Sequence, residues 1–123
     1  MATTKSYSDL QQSKKLAEIL PIESADISYY KLKEASDDCY RILVDNEEHY
    51  DETGTLDVIP SWSLAALLNI LPEYNLRRTD WYYKINHKIV VNVNDDNYAS
   101  KNYDNAVDAC VDMIIELHEM NLL

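Results

Sequence analysis

Glycine occurs once in this chain, at Gly54, and phenylalanine not at all. The first shortage excludes the most. Loops that cradle phosphates and dinucleotide-binding turns need several glycines at fixed spacing, because only a residue without a Cβ lets the backbone come that close. A Walker-type loop, a Rossmann fingerprint and a Gly-x-Ser-x-Gly nucleophile elbow are therefore excluded. Cysteine is nearly as scarce: Cys39 and Cys110 stand far apart and form neither a disulfide framework nor a zinc knuckle. The longest apolar run, around Leu64 to Leu68, is far too short for a bilayer, and Met1 to Ser6 lead into no apolar stretch. A cytoplasmic protein without membrane contact is expected. Basic residues are few as well, 11 against 22 acids, for a net charge of −11. The mean field repels phosphates and anionic lipid, which disfavours nonspecific nucleic-acid binding.

What the chain does contain is ordinary for one globular domain: 123 residues, 46% hydrophobic and 27% charged. Ten tyrosines stand where phenylalanine is missing, so aromatics are expected at the margin of the core, with hydroxyls reaching water or a partner. The acidity is compatible with solubility, with a basic partner, or with imitation of a polyanion.

Local patterns predict an α+β fold in the order α-β-β-α-β-β-α. Ser8, with Gln11 three residues on, reads as a capping box opening a helix along Leu10, Ala17 and Leu20, stopped by Pro21. Residues 27 to 32 and 39 to 44 read as a hairpin, followed by an acidic loop from Asp45 to Asp57. Pro60 and Ser61 are expected to open a second helix that ends at Pro72. A second hairpin, 81 to 85 and 89 to 93, is predicted to turn at Asn86-His87. After a polar loop, Asp104 or Asn105 caps a closing helix over 104 to 121, with the stripe Val107, Cys110, Val111, Ile114 and Leu117. The two hairpins would pair into one antiparallel sheet of about four strands packed by helices.

That order raises an internal α-β-β duplication, with half-repeats 8 to 50 and 61 to 98. Ile19-Leu20-Pro21 matches Ile70-Leu71-Pro72, and Tyr29-Tyr30-Lys31-Leu32 matches Tyr82-Tyr83-Lys84-Ile85. The competing explanation is that short helix-then-hairpin stretches look alike by chance.

No spacing carries catalytic or metal chemistry, and no cofactor is implied. His49, His87 and His118 are not spaced as ligands, and a calcium loop read from Asp45 has Tyr50 where glycine is required. Ser61 and Ser63 read as capping residues and Cys110 as core. One stretch opposes the global charge. Arg77, Arg78, Lys84 and Lys88 surround Trp81, Tyr82 and Tyr83 with only Asp80 opposing, a candidate contact surface. A turn at Asn86-His87 would split these side chains between two faces, favouring cross-strand or inter-subunit ion pairs over a nucleic-acid surface.

Three segments, Leu20 to Asp26, Pro60 to Leu68 and Asp104 to Cys110 leading to Leu117-His118, resemble small uncharacterised proteins of phages, prophages and mobile elements of gut bacteria. The likeness covers most of the chain and brings no activity with it. It implies an accessory role. The leading expectation is a non-enzymatic accessory protein acting by protein-protein interaction, with an unknown protein partner or as a homo-oligomer. One alternative is an acidic nucleic-acid mimic that inhibits a host DNA-binding protein. Another is a small-ligand-binding protein or an enzyme.

Overall fold

The computed structural model describes residues 5–43, 56–81 and 84–123. Along them run α1 (Leu10–Ala17), β1 (Ile27–Leu32), β2 (Arg41–Leu43), β3 (Leu56–Ser61), α2 (Leu64–Ile70), β4 (Tyr74–Trp81), β5 (Lys84–Val93), β6 (Asp96–Ala99) and α3 (Ala106–Glu119). The fold is α+β, as the patterning predicts. Instead of one sheet of about four strands there are two antiparallel sheets of three, ordered β2-β1-β3 and β4-β5-β6. The central strand is the first of its set in one sheet and the second in the other. The strand order therefore does not confirm the α-β-β duplication, and Tyr82 and Tyr83 of the Tyr-Tyr-Lys match lie outside the described residues.

The capping reading of α1 is one residue off. Asp9 is the N-cap: its carboxylate accepts from Gln12 N at 2.8 Å while Gln12 Oε1 accepts from Asp9 N at 3.0 Å. Ser8 is thereby turned inward and fully buried. The expected start of the second helix also moves, because Pro60 and Ser61 belong to β3, where Pro60 lies opposite Ser28. Proline is tolerated there because β3 is an edge strand. Ser63 caps α2 by accepting from Ala66 N.

The second hairpin turns earlier than its sequence indicates. Register runs from Tyr74↔Val91 to Trp81↔Lys84, so Asn86 and His87 lie inside β5, opposite Thr79 and Arg78. A further strand replaces the expected polar loop. Asn94 and Asp95 take φ of 53° and 68°, the left-handed pair a two-residue hairpin needs, and they return the chain as β6.

The core forms around α3, whose predicted stripe is buried in full: Val107, Cys110, Val111, Ile114 and Leu117. Asn105 caps its start, accepting from Asp108 N. Its end closes with Leu122 N donating to Leu117 O and Asn121 N to His118 O, Asn121 being left-handed at φ 58°. Against α3 sit Ile89 and Val91 of β5, Leu67 and Leu71 of the α2 region, Leu16 of α1, and Trp62. The helices therefore cover only one face of the second sheet.

Candidate functional site

Partners in an antiparallel register share a face, and alternate residues along each strand oppose them. Ile89 and Val91 are fully buried against the helices, which puts their partners Leu76 and Tyr74 on that side. The outer face accordingly carries Asn75, Arg77 and Thr79 of β4, Lys84, Asn86, Lys88, Val90 and Asn92 of β5, and Asn97 and Ala99 of β6. None of these residues is buried.

Of the predicted contact residues, the structure brings Arg77, Lys84 and Lys88 to one face, with the backbone position of Trp81 opposite Lys84. Arg78 is on the other side, where its Nε lies 3.8 Å from Asp80 Oδ1 and both side chains are exposed. Tyr82 and Tyr83 lie outside the described residues. The sequence reading split the cations between faces because it placed the turn at Asn86-His87; the actual register gathers three of the four. It also missed the uncharged polar setting of Asn75, Thr79, Asn86, Asn92 and Asn97, whose signal was the Asn-Asp turn that creates β6.

Two physical features distinguish this face. Arg77 lies directly across from Lys88, an arrangement of like charges that costs stability. The face has no carboxylate within its strands, although acids outnumber bases two to one in the chain. Among the described residues no ion pair reaches Arg77, Lys84 or Lys88. A shallow concavity of about 280 Å³ opens on the face beside Asn75, Arg77, Val90, Asn92 and Asn97, with Glu73 at its rim. Among the described residues the expected cross-strand ion pairs are thus not formed.

Elsewhere, Lys5, Lys31 and several hydroxyl groups are matched internally, while among the described residues Lys14, Lys15, Lys33, Arg41 and Lys101, which lie apart from one another or on helices, form no ion pair either. Lys31 is 6% exposed and donates to Asp57 Oδ2 and Ala35 O, both at 3.1 Å, with the Tyr40 ring 5.5 Å from its ammonium. The hydrogen bond to Asp57 raises its pKa above the ordinary 10.5. Burial pushes the Asp108 carboxyl up, but hydrogen bonds from Lys5, Asn105 and Gln12 outweigh it and hold the group below the ordinary 3.8. Ser61 is not at a helix mouth but in a buried knot with Ser8 and Ser13: Ser8 Oγ lies 2.7 Å from Ser13 Oγ and 3.0 Å from Ser61 Oγ, and accepts from Trp62 N. Ser63 donates to Asp26 through both its amide and its hydroxyl.

Burial pushes the Cys110 thiol up to about 12, as its core position requires. His87 exchanges backbone hydrogen bonds with Tyr103, and His118 sits exposed in the last turn of α3. His49 and the acidic loop, up to Thr55, lie outside the described residues. Among the described residues no cluster of His, Cys, Asp and Glu is arranged to hold a metal, and no helix is long and apolar enough to cross a membrane. Comparison of the chain with family models, curated proteins and solved structures returned no match.

Proposed function

We propose that this protein is a non-enzymatic accessory protein that acts by binding another protein through the outer face of its second sheet. One observation carries the reading: Arg77, Lys84 and Lys88 share a solvent-facing surface whose strand positions carry no carboxylate, on a protein with net charge −11. A chain with that many acids has ample means to neutralise three cations, and it does so for Lys5 and Lys31. Leaving like charges opposed costs stability, and an anionic partner surface offsets that cost. The net charge favours a protein over a nucleic acid as that partner, since a protein can confine its carboxylates to the contact whereas a nucleic acid carries a charge at every phosphate and is repelled along its whole length. The resemblance to mobile-element proteins fits such a role in a bacterial cytoplasm.

The nucleic-acid mimic draws less support, because mimicry needs free carboxylates arrayed on one face. Asp9, Asp57 and Asp108 are engaged by lysines of the same chain, and Asp26 by Ser63.

The test is affinity capture from bacterial lysate with the wild type and the Arg77→Glu/Lys88→Glu double variant side by side. A protein retained by the wild type, released by moderate salt and lost in the variant is expected. Identical captured sets from both would sink the reading.

A further inference from the structure

We infer that the outer edge of β4 takes up an extended acidic segment of another protein as a fourth strand of the second sheet. The inference rests on the binding role proposed above and states how the partner is held.

The sheet edges differ in how they are protected. β2 and β6 have three and four residues. β3 carries Pro60, packs against α1, and is continued by a Tyr7↔Ser63 bridge. β4 runs for eight residues without proline, and among the described residues no backbone hydrogen bond reaches it from outside the β4–β5 ladder. A long uncovered edge is a template for another strand.

The register shows which amides are on offer. Asn92 N donates to Glu73 O at 2.9 Å, whereas His87 and Ile89 bond on the other side of β5, to Tyr103 and Ser100. By antiparallel alternation, Asn75, Arg77 and Thr79 bond to β5, and Tyr74, Leu76, Arg78 and Asp80 direct their N–H and C=O groups outward.

The surroundings set the chemistry of the added strand. Its alternate side chains fall beside Arg77, with Lys88 across the ladder, so carboxylates there complete both cations. Where β4 begins, an open concavity of about 560 Å³ lined by Ala65, Leu68, Asn69, Leu71, Pro72 and Tyr74, with Glu73 at its edge, takes an apolar side chain, and Glu73 adds to the reason that this end of the segment is not acidic. The partner segment is therefore β-prone, acidic at every second position and apolar at one end. A second copy fits poorly. Two-fold pairing about the middle of β4 sets Arg77 against Arg77 or Arg78 against Arg78.

The test uses the full chain and short peptides of alternating Glu and Val ending in Leu, read by fluorescence anisotropy and by NMR amide exchange. The Glu peptide is expected to bind and to slow exchange at Leu76, Arg78 and Asp80. Its counterpart N-methylated at alternate positions should bind about tenfold more weakly, and a Lys-for-Glu peptide should not bind.

Arg78→Pro removes one outward donor and should weaken binding about tenfold relative to Arg78→Ala, which removes the same charge. If Arg78→Pro fails to fold, the N-methylated peptide carries the test alone. No binding by the Glu peptide overturns the inference. So does dimerisation of the free chain through β4, or equal binding of a single-stranded oligonucleotide. Binding that ignores N-methylation, with shifts confined to Arg77, Lys84 and Lys88, also overturns strand addition but leaves the face-binding role standing. Loss of lysate capture in Arg77→Glu/Lys88→Glu judges that role separately.

Discussion

The two sheets share the same strand count and solve the same charge problem in opposite ways. In the first, the central strand's one cation, Lys31, is buried and matched by Asp57 on the neighbouring strand and by three carbonyls. In the second, the central strand's Lys88 faces Arg77, and among the described residues neither has a carboxylate partner. The first sheet also has its outer strand β3 lined by α1, whereas among the described residues no strand pairs with the outer edge of β4. On the binding role proposed above, the chain divides its labour: one sheet is closed scaffold, and the other is surface for something outside. Unmatched charge is informative only beside matched charge of the same kind.

The largest expected contrast lies in thiol reactivity. Cys39, beside the first sheet, is exposed, while Cys110, under the second, is buried with its thiol pushed up to about 12. Labelling with an aromatic disulfide at pH 8 should modify Cys39 at least about a thousandfold faster, Cys110 reacting only through global opening. Comparable rates would show that the helix layer over the second sheet opens easily.

Next in size are core truncations. Trp62→Ala, at the first sheet's end, should cost about 3–5 kcal/mol, and Ile89→Ala, in the second, about 2–5 kcal/mol. Both should shift one common denaturant transition followed by fluorescence and circular dichroism, since both side chains belong to one cluster. Two separable transitions would mean that the sheets are independent units.

Ser8→Ala should cost about 1–3 kcal/mol, because Trp62 N loses its acceptor in a buried site. The effect should be confined to stability, leaving partner capture intact. The smallest effect is the sharpest test of the comparison. Lys88→Glu places an acid opposite Arg77 and should raise stability by about 0.2–1 kcal/mol while abolishing capture. Lys31→Glu, facing Asp57, should instead destabilise the protein. If Lys88→Glu also destabilises, the opposed cations are not under electrostatic strain and the contrast between the sheets fails.

Much of this fold was legible where one face of an element is apolar. The stripe on α3, the alternation around Ile89 to Val93 and the prolines closing the helices read directly as structure. The failures share a cause. Among the described side chains β4 contributes Leu76 as its partly buried apolar core contact, and β6 contributes Tyr98, so neither carries a period-two signal strong enough to announce a strand. β3 hides behind Pro60, which reads as a helix start but is acceptable on an edge. Because β4 was not visible, the turn was set at Asn86-His87, and a displaced turn reassigns which side chains share a face. The candidate cations were therefore found by composition, but their convergence was visible only once the register was known.

Strand addition as proposed above has a kinetic consequence as well. A partner segment rich in carboxylates approaches a molecule whose overall charge is −11, so beyond the screening length of about 8 Å at physiological salt the two repel. Attraction begins only when the outer face of the second sheet is turned toward the incoming strand. Added salt then shortens the reach of the repulsion before it weakens the contact. The association rate should climb with ionic strength at first and fall later, the reverse of a steered encounter between opposite charges, and approaches from any other direction would be rejected at a distance.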